Sequence, residues 1–171
     1  MLTPKELKKY DKEYEKIIAD IKAGKKDKAK LRKKMDVLAH AGYPKACLFI
    51  RAALLNGVEQ AISEQDKAQF QRAANNLLKI AADNGDVDCQ YAVAKMYEQG
   101  NGFLQNDREA FRYYLLAARN GDRTAQTNVA RYYSLGIGVE QNATEYIYWN
   151  TQAANNGESI AMNNMGNAYE N

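Results

Sequence analysis

Asn84-Gly85-Asp86-Val87-Asp88-Cys89-Gln90-Tyr91-Ala92-Val93-Ala94-Lys95-Met96-Tyr97-Glu98-Gln99-Gly100-Asn101-Gly102-Phe103 is the stretch that decides the fold, because it recurs. The same pattern restarts 36 residues later at Asn120-Gly121-Asp122 and again at Asn156-Gly157-Glu158. Counted from each Gly, position 4 is small: Cys89, Ala125, Ala161. Position 8 is aliphatic (Val93, Val129, Met165), position 9 small (Ala94, Ala130, Gly166) and position 12 Tyr (Tyr97, Tyr133, Tyr169). Gly100-Asn101-Gly102-Phe103 and Gly136-Ile137-Gly138-Val139 then follow, and an Ala pair precedes each Asn-Gly: Ala81-Ala82, Ala117-Ala118, Ala153-Ala154.

Positions 4, 8 and 12 share one face of a helix. The small residue at position 9 lets a neighbouring helix approach closely. The Gly-x-Gly supplies backbone of positive φ for a turn. A second helix follows, with Ala110, Tyr113, Tyr114, Ala117 and Ala118 in one repeat and Tyr146, Trp149, Asn150, Ala153 and Ala154 in the next. Asn-Gly ends it, and the following acid starts the next helix. Each unit is thus an antiparallel helix pair with one uncovered apolar side, and such units have to stack.

These residues resemble the Sel1-like repeats of the tetratricopeptide-like superfamily. The family pattern, small-x-x-x-Leu-Gly-x-x-Tyr-x-x-Gly-x-Gly-Val followed by Ala-x-x-Trp-Tyr-x-x-Ala-Ala, is met closely by residues 84–119 and 120–155. The resemblance implies an all-α, right-handed α-solenoid of antiparallel helix pairs. Phe103 stands where the family has Val, Tyr113 where it has Trp, and Tyr146 where it has a small Ala, which predicts wider packing there.

Upstream lies a degenerate unit, residues 41–83. Ala41-Gly42 aligns with the Asn-Gly pairs, Ala46 with the small position, Ile50 with the aliphatic one and Gly57 with the turn Gly, while Arg51 replaces the small residue. The interval from Gly57 to Ala74 is seven residues longer than that from Gly100 to Ala110, so the second helix is two turns longer or its leading loop is. Residues 1–40 read as an N-terminal cap of two helices, Thr3 to Ala23 and Lys28 to His40, with Thr3-Pro4 a good helix start. Residues 156–171 read as the first helix of a partial or capping repeat.

The 171 residues carry a formal charge of +3, unevenly spread. Residues 1–34 hold 13 basic and 6 acidic side chains, and the remainder is mildly acidic. Lys-rich segments suit nucleic acid or anionic membranes. Here, however, Glu6, Asp11 and Glu15 are interleaved with the lysines, while Leu7, Tyr10, Tyr14, Ile17 and Ile21 form one apolar stripe. That pattern predicts a helix docked on the body with a wet basic side: no nucleic acid and no membrane insertion. No run reaches the ~18 apolar residues of a membrane helix, and Met1 to Lys12 is charged rather than signal-like. A cytoplasmic location is expected, or a periplasmic or secreted one if a signal sequence has been removed.

Little here points to chemistry. One His and two Cys are too few for an ordinary zinc cage. His40 suits a helix C-terminus, Cys89 takes a small core position, and Cys47 lies one position later in its own unit. Sel1-like repeats of secreted proteins can carry a Cys pair within each unit; these two Cys lie in different units, so free thiols are expected. The Gly-x-Gly pairs are turns rather than phosphate cradles. No catalytic residue, metal or cofactor is expected.

What remains is surface. Positions 3, 6, 10 and 13 of the first helices point outward and, in solenoids of this type, line the concave groove. They are Lys45, Leu48, Ala52 and Leu55, then Asp88, Tyr91, Lys95 and Glu98, then Thr124, Thr127, Arg131 and Ser134, and last Ile160, Asn163, Asn167 and Glu170. The candidate partner-binding residues are therefore Leu48, Leu55, Asp88, Tyr91, Lys95, Glu98, Thr127, Arg131, Asn163 and Asn167. A peptide would anchor on Leu48, Leu55 and Tyr91 while Lys95 and Arg131 hold its carboxylates. Alternatively, the N-terminal helix folds over Leu48 and Leu55. The expected function is a non-enzymatic scaffold for a protein or peptide partner, with adaptor, toxin-neutralising immunity and enzyme-regulating roles all open.

Overall fold

Thr3 and Glu6 close a reciprocal cap on the first helix, α1 (Pro4–Lys22). The Glu6 amide donates to Thr3 Oγ1 at 3.3 Å, and the Thr3 amide donates to Glu6 Oε2 at 2.8 Å. The computed structural model describes residues 2–24, 28–60 and 63–155, and every regular element among them is a helix. They fall into two compact units, Met1–Asp86 and Val87–Asn171.

The first unit holds α1, α2 (Lys28–His40), α3 (Pro44–Gln60) and α4 (Glu64–Asp83). Ile17 of the apolar stripe is buried beside a core of Leu31, Met35, Leu38, Ala46 and Cys47. Gly42 joins α2 to α3 with φ +80, and the Tyr43 amide donates to the Leu38 carbonyl at 3.0 Å. A side chain at Gly42 would run into Asn84, whose Cγ lies 3.0 Å from where a Cβ would stand. Asn84 caps α4, donating from Nδ2 to the Ile80 carbonyl at 2.9 Å.

One expectation for this unit is corrected. Gly57 is not a turn Gly: α3 runs through it to Gln60. Gly57 is followed by Val58-Glu59, where the other repeats supply a second Gly two residues on. Without that second positive-φ position the turn is unfavourable, whereas one Gly inside a helix costs only about 1 kcal/mol. The seven additional residues go into α4, which has 20 residues against 13 in the matching helix of the next repeat. Arg51, at the position where Ala94 and Ala130 are buried, is only half-buried. Its Nε is buried without a hydrogen-bond partner among the described residues.

The second unit holds α5 (Val87–Gln99), α6 (Asp107–Arg119), α7 (Arg123–Leu135) and α8 (Ala143–Asn155), each of 13 residues. Cys89, Val93, Ala94, Ala125, Val129 and Ala130 are buried, as are Ala110, Tyr113, Ala117, Ala118, Trp149 and Ala153 of the second helices. Phe103 stacks on Tyr97 at 4.7 Å, and Tyr97 on Tyr113 at 5.9 Å, so the larger residue at the Val position extends an aromatic column. Tyr146 stays half-exposed beside a cavity of about 320 Å³ lined with Tyr133, Ser134 and Gln141, while Ala110 in the preceding repeat is fully buried. Gly138 seats the α7–α8 turn directly on the start of α6, where a Cβ would meet the Asp107 carbonyl and approach the Arg108 amide to 2.8 Å. Residues 156–171, including Ile160, Asn163, Asn167 and Glu170, lie outside the described residues.

Candidate functional site: the first-helix face

In the second unit, the outward row is built by helical periodicity. Asp88 and Lys95 are exposed, and Tyr91 and Glu98 partly so, on the side of α5 opposite Cys89 and Val93. On α7, Thr124 and Arg131 are exposed while Thr127 and Ser134 are partly covered.

Glu98 joins the two helices. Its Oε2 accepts from the Tyr114 hydroxyl at 2.8 Å, and its Oε1 accepts from the Tyr132 hydroxyl at 3.3 Å and pairs with Arg131. The rings of Tyr91, Tyr114 and Tyr132 meet edge to face at 5.6 and 5.7 Å, and the Arg131 guanidinium lies 4.9 Å from the Tyr132 centroid. Burial, reinforced by the Glu98 charge, pushes the Tyr132 phenol up to about 12 and the Tyr114 phenol higher still. Both phenols therefore stay protonated and keep donating at neutral pH. Lys95 Nζ sits 6.0 Å from the Tyr91 centroid and has no ion pair among the described residues.

The geometry changes how this row can be used. Arg131 already holds the Glu98 carboxylate, so the cation on this face open to an incoming carboxylate is Lys95 rather than both. Neither Tyr114 nor Tyr132 is among the site residues named from the sequence: Tyr114 enters there only as part of the second-helix pattern, and Tyr132, which departs from its counterpart Met96, is not singled out. That departure from periodicity was the available signal.

In the first unit, Leu48 and Leu55 are half-buried and Ala52 is exposed. The first position of the row is taken by α1. Lys45 Nζ pairs with Asp11 at 2.7 Å, and the Tyr43 hydroxyl donates to the same carboxylate. Tyr10 and Tyr14 pack on the Tyr43 ring at 6.0 and 5.8 Å. Lys45 and Tyr43 hold the Asp11 carboxyl below its usual range, while burial and Asp11 push the Tyr43 phenol up to about 12.

His40 Nδ1 lies 2.7 Å from the Asp36 carbonyl at the end of α2. Cys47 and Cys89 are buried thiols outside any disulfide, and burial pushes the Cys47 thiol up to about 11, where it is a poor nucleophile at neutral pH. Among the described residues no group of three or more His, Cys, Asp or Glu is placed to hold a metal, and no helix is long and apolar enough to cross a membrane.

The family model of the Sel1 repeat matches residues 63–86, 87–122 and 124–158, more than half of the chain. The chain belongs to the Sel1 repeat family. Its matches cover α4 and, but for Arg123, helices α5 to α8, and leave α1, α2 and the degenerate first helix α3 outside. A Sel1 repeat protein from Oxalobacter formigenes is similar in structure, with 27% identity and a TM-score of 0.63 over 79% of this chain and 96% of that one. A protective antigen of uropathogenic Escherichia coli displaying an SLR fold shares the fold at 24% identity and a TM-score of 0.63. That alignment covers 99% of this chain and 36% of the antigen, so the chain spans about a third of its length. None of the curated proteins matches this chain. Sel1 repeats generally serve as non-catalytic modules for protein–protein interaction.

Proposed function

We propose that this Sel1 repeat chain is a non-enzymatic scaffold that binds a protein or peptide partner on the first-helix face of α5 and α7. The observation that carries this reading is the Glu98 network. It ties α5, α6 and α7 together and leaves Tyr91 and Lys95 displayed on a rigid backing, an aromatic anchor beside a cation with no ion pair among the described residues. Pre-organised aromatic and cationic side chains are the usual energetic centres of protein interfaces. An acidic or carboxy-terminal segment fits Lys95, with Asp88 and Thr127 at its edges. The partner is sought in the cytoplasm, where the buried thiols stay reduced.

The test is capture of a stoichiometric partner by the full chain from cell lysate, repeated with Tyr91→Ala combined with Lys95→Glu. Loss of capture in a variant that keeps its helical spectrum supports the assignment, and unchanged capture refutes it. The identity of the captured protein separates an adaptor from a toxin-neutralising or enzyme-regulating role.

A further inference from the structure

A second, chemically different site lies in the first unit. Ile21 at the end of α1, Leu31 and Met35 of α2, and Phe49, Ile50 and Ala53 of α3 line a cavity of about 230 Å³ that opens to solvent. It lies where the apolar stripe of α1 runs out: Ile17 is buried, but Ile21 is 41% exposed and Phe49 36% exposed. The exposed Arg32 also lines this cavity, and Lys22 follows Ile21 directly in the chain. Neither cation has an ion pair among the described residues, and both belong to the 1–34 segment in which bases outnumber acids 13 to 6.

Size and charge together select the occupant. Pockets for small molecules run from about 300 to 1,000 Å³, and this one falls short of that range. It suits one large side chain inserted from outside, the way an interface anchor fills a pocket. A membrane-binding surface would instead project apolar side chains outward. A second copy of the same basic segment would be repelled. We propose that the α1–α2–α3 pocket receives one aromatic or long aliphatic side chain of an acidic polypeptide segment, whose flanking carboxylates meet Arg32 and Lys22. This site is independent of the α5–α7 face and does not rest on that assignment.

The test pans a random-peptide display library on the full chain. The best peptide is then synthesised with a fluorescent label, and its affinity is measured by anisotropy. Enriched peptides are expected to carry a large apolar residue flanked by Asp or Glu. Ala53→Trp, which fills the pocket from an exposed position, is expected to weaken binding by about tenfold or more. Arg32→Glu with Lys22→Glu, on the surface and safe for folding, is expected to weaken it about three- to tenfold and to flatten its salt dependence. Tyr91→Ala with Lys95→Glu is expected to leave it unchanged. Enrichment of basic or uncharged peptides, or of none, overturns the proposal, as does binding indifferent to both pocket variants. Sedimentation with phosphatidylglycerol vesicles, or self-association of the chain, that is abolished by Ala53→Trp assigns the pocket to another occupant and overturns it equally.

Discussion

Gln126 of α7 reaches back across the turn and donates from Nε2 to the carbonyl of Ala118, 3.1 Å away near the end of α6. Cys47 of α3 does the same for α2, with Sγ 3.4 Å from the Ala39 carbonyl. Both donors stand five residues after a turn Gly and reach the residue three before it. The last carbonyls of a helix lack intrahelical partners from a following turn, and here the Gly121 amide already donates to Ala118 at 3.1 Å and the Gly42 amide to Ala39 at 2.9 Å. The buried donor from the next helix adds a second bond to the same carbonyl and ties successive helices together. Replacing Gln126 by Leu keeps most of the volume and removes that second bond. The expected loss is about 0.5–1.5 kcal/mol, read as a lower urea midpoint with an unchanged m-value.

Gly138 is required twice, by its φ of +65 and by its contact with the start of α6. Gly138→Ala therefore adds a steric clash to backbone strain. Gly121→Ala has the same kind of strain at φ +92 but nothing within 4 Å of the new Cβ. Gly121→Ala is expected to cost about 1–2 kcal/mol, and Gly138→Ala distinctly more, in paired thermal melts. Equal costs would mean that the turn does not bear on α6.

Arg51 occupies a place that the repeat reserves for a small residue, and its buried Nε has no hydrogen-bond partner among the described residues. Arg51→Met keeps the stem and removes the polar group. A stabilisation of about 1 kcal/mol is expected, raising the melting midpoint by about 2–4 °C. An unchanged or lower midpoint would show that the guanidinium carries no net cost.

Docking of α1 is pH-dependent through the Asp11–Tyr43–Lys45 cluster. The Asp11 carboxyl is lowered by Lys45 and Tyr43, so its contribution is complete above the unfolded value of about 4 and disappears as pH falls through the lower folded value. Tyr43 is raised to about 12, chiefly by burial. Its neutral form is favoured by folding, so that contribution is complete below about 10 and disappears as pH rises through the folded value. The melting difference between wild type and Asp11→Asn should be flat across neutral pH and vanish in acid. Tyr43→Phe should blunt the loss of stability in strong base. A difference that persists in acid would sink the role given to Asp11.

Much of this was legible along the chain. Leu38-Ala39, standing where the repeats have their Ala pair, lies near the end of the helix Lys28–His40, and Thr3-Pro4 opens α1 as its cap chemistry requires. Positions 4, 8 and 9 of the first helices are buried in both complete repeats because helical spacing and side-chain size are local properties. Gly57 was misread because alignment with a turn Gly ignored the missing second Gly. Gln126 and Cys47 were missed because a polar residue and a thiol at one repeat position look unrelated until both are seen donating to a helix end.

The sequence by itself determined the repeat, its all-helical character, the turns and the outward registers, since each depends on residues within about one helix length of one another. Only the tertiary structure decided which outward side chains remain available. Arg131 meets Glu98 across 33 residues of chain, and Tyr43 meets Asp11 across 32. Such pairings depend on how neighbouring helices pack, and periodicity along one helix carries no information about the side chain that arrives from another.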